Sequence, residues 1–147
     1  MQYHLYLRKG KVFIPTFGRV DKGLYRDIEP VAVVDVSDTG ALRQALRETI
    51  ARGNPPTPYY PRGGPYPQPV VVKYAGVKSW SGFARGASPW NIKEKDGIHQ
   101  IVGHWKGPSG WVEDPEQTIK FPAGTTLDQV IDRMIAILQE TARAAPN

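Results

Sequence analysis

The sequence predicts an α+β fold, a mostly antiparallel β-sheet with two amphipathic helices packed on one face, built as a single domain over residues 1–147. Three observations carry this expectation. Short alternating segments of strand type open the chain, and an Asp-Gly pair lies between two apolar alternations in its middle. Two segments show apolar residues at helical spacing, one early and one at the end. With 147 residues the chain is long enough for one hydrophobic core and shows no repeat or composition break that would divide it.

Gln2–Leu7 alternates, with Tyr3, Leu5 and Leu7 on one face and His4 and Tyr6 on the other. Arg8-Lys9-Gly10-Lys11 turns the chain into Val12-Phe13-Ile14, a strand that Pro15 is expected to stop. VAVVDV at 31–36 is β-branched and nearly all apolar, which predicts a strand buried on both faces or nearly so. Ser37-Asp38-Thr39-Gly40 supplies capping groups for a first helix with Leu42, Ala45, Leu46, Thr49 and Ile50 on one face and Gly53 at its end.

A proline-rich stretch follows, NPPTPYYPRGGPYPQP at 54–69, and then Val70-Val71-Val72, read as another strand reaching Tyr74. In WNIKEKDGIHQIVGHW the two-residue loop Asp96-Gly97 sets Lys95 opposite Ile98, Glu94 opposite His99 and Ile92 opposite Ile101. That register puts Trp90, Ile92, Ile101 and Trp105 on one face, expected to be the core face. TIKF at 118–121 is a short strand. The last helix starts at Thr125-Thr126, with Asp128 completing a capping box, and presents Leu127, Val130, Ile131, Met134, Ile135 and Leu138 along one side. The expected order is three strands, a helix, about four strands, and a helix.

Composition narrows the chemistry. With no cysteine, a disulfide, a Cys-based zinc site and a cysteine nucleophile are all excluded. A charged fraction of 22% and the lack of any long apolar run predict a soluble, cytoplasmic protein, and the N-terminus has no apolar signal core behind a basic start. The net charge of +5 suits an acidic protein or a nucleic acid as partner, and Arg8, Lys9, Lys11, Arg19, Lys22 and Arg26 crowd the first 29 residues into a candidate basic patch. Four Trp and seven Tyr could stack on bases, although aromatic residues in an antiparallel sheet more often fill the core.

Only three histidines are present. His99 and His104 point to opposite faces of one strand and His4 lies on another, so no metal site and no cofactor are expected. Glu94 and His99 are the one candidate acid–base pair by cross-strand geometry; the simpler reading is an ionic contact at the edge of a turn. SWSGFARGAS matches neither a nucleophile elbow nor a phosphate-binding loop, since Pro89 prevents a following helix. The proline-rich stretch holds P-x-x-P twice but no correctly spaced flanking arginine. It reads as a stiff crossover whose Tyr59, Tyr60, Arg62 and Tyr66 could bind a protein.

The segment GHWKGPSGWVEDPEQTIKFPAG followed by TTLDQVIDRMIAIL resembles, over residues 103–147, the small bacterial immunity proteins of polymorphic and contact-dependent toxin systems. The resemblance is one of layout and carries no residue roles. It implies a small cytoplasmic inhibitor that covers a toxin domain, and many such inhibitors are acidic. For a basic chain it implies a partner with an acidic surface. The sequence therefore points first to a non-enzymatic protein-binding domain, second to a basic nucleic-acid-binding domain, and third to a His/Glu acid–base enzyme.

Overall fold

The computed structural model describes residues 1–59 and 67–145, without the side chain of Lys22. Six antiparallel strands form one sheet in the order β3-β2-β1-β4-β5-β6. They are β1 (Gln2–Arg8), β2 (Lys11–Val20), β3 (Leu24–Asp35), β4 (Ala87–Lys95), β5 (Ile98–Gly107) and β6 (Gly110–Lys120). Helices α1 (Thr39–Arg52) and α4 (Leu127–Ala144) cover one face, here the helix face; two short helices, α2 (Val71–Tyr74) and α3 (Trp80–Ala84), cover part of the other, the far face. Among the described residues no helix is long and apolar enough to cross a membrane.

The two long helices form where their spacing predicts. Asp38 caps α1 by accepting from the Ala41 amide, and Leu42, Ala45, Leu46, Thr49 and Ile50 are all buried. The α4 N-cap is Thr126, which exchanges hydrogen bonds with Gln129 in a full capping box. Asp128, the expected box partner, instead meets Arg47 of α1 at 3.1 Å, beside a matching Arg43–Asp132 contact. The two helices press Leu46, Ile131, Met134 and Leu138 onto Leu5, Ile14, Ile92 and Ile101 of the sheet, the main core. On the far face Val71, Val72 and Phe83 close over Tyr6, Phe13 and Ala87.

Two expectations fail here. Val70-Val71-Val72 belongs to a helical turn, not a strand; Pro69 opens it by accepting from the Val72 amide, and burial of Val71 and Val72 against aromatic rings outweighs the strand preference of valine. VAVVDV forms an edge strand. Ala32, Val34 and Val36 touch the helix-face core and Val31 the far-face cluster, so both faces are in contact, yet Val33 remains 39% exposed.

Pro15 does not stop β2, and the reason organises one side of the fold. The Lys9-Gly10 turn pairs Arg8 with Lys11, and the ladder continues through Tyr6↔Phe13. In such a ladder alternate residues exchange hydrogen bonds, so Lys11, Phe13 and Pro15 are the β2 positions directed at β1. Proline has no N–H to give, and the β1–β2 pairing ends after Phe13. On its other side β2 keeps its ladder to β3 down to Val20↔Leu24, around a bulge where Pro15 faces Val31 and Thr16 faces Ile28.

The opening between β1 and β2 is filled by the start of the proline-rich stretch. Asn54 donates from Nδ2 to the Gln2 carbonyl (2.6 Å) and the Phe17 carbonyl (2.8 Å), and its Oδ1 accepts from the Gln2 amide. Residues 55–57 then lie parallel to β2: the Arg19 amide donates to Pro55 O and the Thr57 amide to Arg19 O, both at 2.9 Å. Gly18 makes this approach possible, because a Cβ there would meet Thr57 Oγ1 at 1.9 Å. The expected stiff crossover thus begins as an added strand-like segment.

The hairpin around Asp96-Gly97 has the expected register, Lys95↔Ile98 through Trp90↔Gly103. Beyond Gly103, β5 pairs with β6 alone, and the two strands continue as a ribbon. Trp105 lies on this ribbon and is 48% exposed, not in the core, because neither β4 nor α4 follows it that far. At the root of the ribbon the Trp90 indole lies over Gly103, where a Cβ would fall 2.8 Å from the ring and 2.7 Å from Gln117.

Asn54→Ala leaves the carbonyls of Gln2 and Phe17 without their donor, and is expected to cost about 1–3 kcal/mol in urea denaturation. A change below about 0.5 kcal/mol would show that the 54–57 segment is not held by this side chain.

Candidate functional site

Three features stand out beyond the core, all set by strand register. The first lies on the far face. His4 and Tyr6 of β1, Phe17 of β2 and Asp27 of β3 project to this side, with Phe17 opposite Asp27. Asp27 has a side chain only 7% exposed; its Oδ2 accepts from the Tyr6 hydroxyl at 2.6 Å, and its Oδ1 lies 3.2 Å from His4 Nδ1. Phe17 stacks on Tyr25 at 5.0 Å, and Tyr6 meets Trp80 and Phe83 edge-on. With its proton on Nδ1, His4 is oriented by the carboxylate, and its ring lines a cleft of about 280 Å³. An imidazole oriented by a carboxylate is the arrangement that acid–base chemistry uses.

The second feature, on the same face across β4, β5 and β6, is cationic. Lys93 pairs with Gln100, which pairs with Lys120, so the three side chains stand in one row; Lys95 and Ile98 form the next. They line a cleft of about 300 Å³ with Asp96 at its rim. Lys93 reaches the carboxylate of Glu113, whereas neither Lys95 nor Lys120 has an ion-pair partner among the described residues. Beside this row His104 donates from Nδ1 to the Pro89 carbonyl at 3.1 Å. Burial pushes the His104 imidazole below its ordinary value, the Pro89 carbonyl opposes that shift, and nearby His4 adds to it.

The third feature is the β5–β6 ribbon. Trp105 and Val112 face each other across it and are 48% and 44% exposed. A separate cleft of about 590 Å³ opens where α4 ends, between Leu7, Lys9, Ser88, Thr141 and Ala142.

The residues singled out in the sequence are scattered by the fold. Glu94 and His99 do face each other in register. Yet the Glu94 carboxylate accepts from the Gly97 amide at 2.8 Å and so caps the turn, while His99 Nδ1 is buried with no hydrogen-bond partner among the described residues. Arg8 is 8% exposed and donates to the Phe83 and Gly82 carbonyls, fastening α3 to the sheet instead of joining a surface patch. Lys9 and Lys11 sit at one end of β2, with Lys11 near Asp35; Arg19 and Arg26 sit at the other, where Arg26 donates to Pro58 O. Tyr59 is exposed. Tyr60, Arg62, Tyr66 and the Lys22 side chain lie outside the described residues.

The sequence reading missed His4–Asp27, because the bulge in β3 decides which residue faces Phe17. It also missed the lysine row, although Lys93 and Gln100 follow from the Asp96-Gly97 register. Among the described residues no group of three His, Asp or Glu side chains converges as a metal site.

The class these features define is that of its fold, a six-stranded antiparallel α+β domain. No protein-family model matches the sequence, and no curated protein matches it. Among solved structures the chain is similar to the protein of unknown function NMB0488 from Neisseria meningitidis, with a TM-score of 0.62 and 11% identity over 97% of this chain and 94% of that one. That likeness extends over nearly the whole of both chains and is one of fold.

His104 supplies a pH test. Its folded-state affinity for protons is below that of the unfolded chain, so the unfolded state binds more protons as pH falls toward and below 6.5. Stability is expected to drop over that interval and to level off once both states are protonated. His104→Gln should flatten this part of the stability–pH curve in urea titrations; an unchanged slope would place the pH dependence elsewhere.

Proposed function

We propose that this chain acts by binding another protein, and that the sharpest form of that role is immunity-type inhibition of a toxin in the cytoplasm. The observation that carries the reading is the β5–β6 ribbon. A tryptophan and a valine stand side by side on its surface, past the reach of β4 and α4, and neither contributes to the core. Exposing them costs the free protein apolar surface that it could have buried. Tryptophan is also the side chain most enriched among residues that dominate protein interfaces.

A second reading, acid–base catalysis, draws support from His4 and Asp27, not from Glu94 and His99, because only the former pair orients an imidazole that lines a cleft. Nucleic-acid binding through the N-terminal basic residues loses support from their separation along β2 and from the burial of Arg8.

If a toxin domain is encoded beside this gene, it is the partner to test, titrated against the purified chain by calorimetry. Trp105→Ala with Val112→Ser is expected to weaken binding by about 2 kcal/mol or more, about 30-fold, with the far-ultraviolet spectrum unchanged. Equal affinity in the double variant would remove the ribbon from the interface, and a complex that dissolves on nuclease treatment would favour nucleic acid.

A further inference from the structure

We infer that the lysine cleft on the far face of β4, β5 and β6 is a receptor for carboxylate groups, and that its occupant is an acidic segment of a protein partner. The inference rests on the protein-binding reading and adds the chemistry of the partner's surface. Lys93 and Lys120 flank Gln100 on three adjacent strands, about 10 Å apart at the usual strand spacing. Lys95 closes the third side, one row nearer the turn. Like charges gathered on one sheet face oppose folding, so nothing in the fold itself calls for this grouping. Gln100 stands between them as a neutral group able to donate and accept, and Ile98 supplies an apolar wall for the lysine stems.

Charge complementarity sets the occupant. One ammonium, Lys93, already rests on a carboxylate of this chain, Glu113; those of Lys95 and Lys120 are without one among the described residues. A site that holds one carboxylate and leaves two cations open suits a short segment carrying two acidic side chains. A nucleic-acid backbone fits less well. It needs a continuous cationic track, and the surface along β6 turns acidic at once. Asp96 stands at the rim, while Glu113 and Asp114 pair with β5 just before the bulge of β6 and Glu116 lies within it; Asp114 accepts from the Glu116 amide and from Gln117. The net charge of +5 favours approach of an acidic partner from any side, and this cleft gives that attraction a fixed address.

The test uses the full chain, labelled with nitrogen-15, titrated at low salt with a capped hexaglutamate peptide. Saturable amide shifts are expected at Lys93, Lys95, Gln100 and Lys120, weakening as salt is raised. Lys95→Glu with Lys120→Glu should abolish them while the remaining spectrum is retained; these exposed side chains make no hydrogen bond among the described residues. Absence of shifts at these four amides overturns the inference. So does a hexathymidylate that shifts them at a tenfold lower concentration than the peptide, which would assign the cleft to nucleic acid.

The Trp105→Ala variant separates this result from the ribbon. If Trp105→Ala and Val112→Ser leave partner affinity intact while the peptide still shifts the lysine row, the ribbon reading fails and the cleft stands. If the ribbon variant loses the partner and the peptide shifts nothing, the cleft fails and the ribbon stands.

Discussion

A single missing hydrogen-bond donor shapes this molecule more than any one favourable contact. Pro15 occupies the position on β2 from which the next bond to β1 would come. The two strands therefore part, and each half of the sheet follows a different partner. β1 stays with β4 along its whole length, from Gln2↔Lys93 to Arg8↔Ala87, and β2 stays with β3. Asn54 bridges the opening by satisfying backbone groups on both sides at once, which lets the chain leave α1 and enter the sheet. Arg52, in the last turn of α1, reinforces the same place by donating to Thr16 Oγ1. The helix, the crossover and the far-face cluster of His4, Phe17 and Asp27 all take their positions from that divergence.

How much of this could be read from the sequence depends on the range of the forces involved. The faces of α1 and α4 were legible because six or so apolar positions at helical spacing have few other ways to be buried, and the Asp96-Gly97 hairpin because Asp96 and Gly97 take the positive φ values, 54° and 78°, that its turn requires. The α+β class followed from these. What escaped depended on distant parts of the chain. Val71 and Val72 turn into a helix because Phe83 and Phe13 wait for them. Trp105 carries the same alternation as Ile101 but extends past the helices that would bury it, and alternation alone does not say where a covering layer ends. Asp27 faces Phe17 only through a bulge at the middle of β3, and a slip of one residue would have sent it to the opposite face.

The candidate sites share one physical origin, a sheet that is longer than the layers packed on it. Where α1 and α4 cover it, side chains are apolar and buried; where α2 and α3 cover it, aromatic rings enclose the Tyr6–Asp27 hydrogen bond. Past those layers, lysines occupy the far face of β4–β6 and an exposed tryptophan the helix face of the ribbon. Surface left bare in this way is available for contact without any rearrangement of the core. The protein recognition proposed above would use that surface, whose two elements lie on opposite faces of the β4–β6 half of the sheet, Trp105 and Val112 on its β5–β6 arm.

The indole of Trp90 over Gly103 gives that arm a mechanical property. It clamps the point at which β5 leaves β4, with Gln117 packed on the opposite strand of the ribbon. A two-stranded ribbon standing free would sample many bends, and each would have to be given up when a partner docks. A base clamped in this way acts as a cantilever's root: Trp105 and Val112, midway along the ribbon, would keep a set direction, and a partner of the proposed kind would have less entropy to take from them on docking.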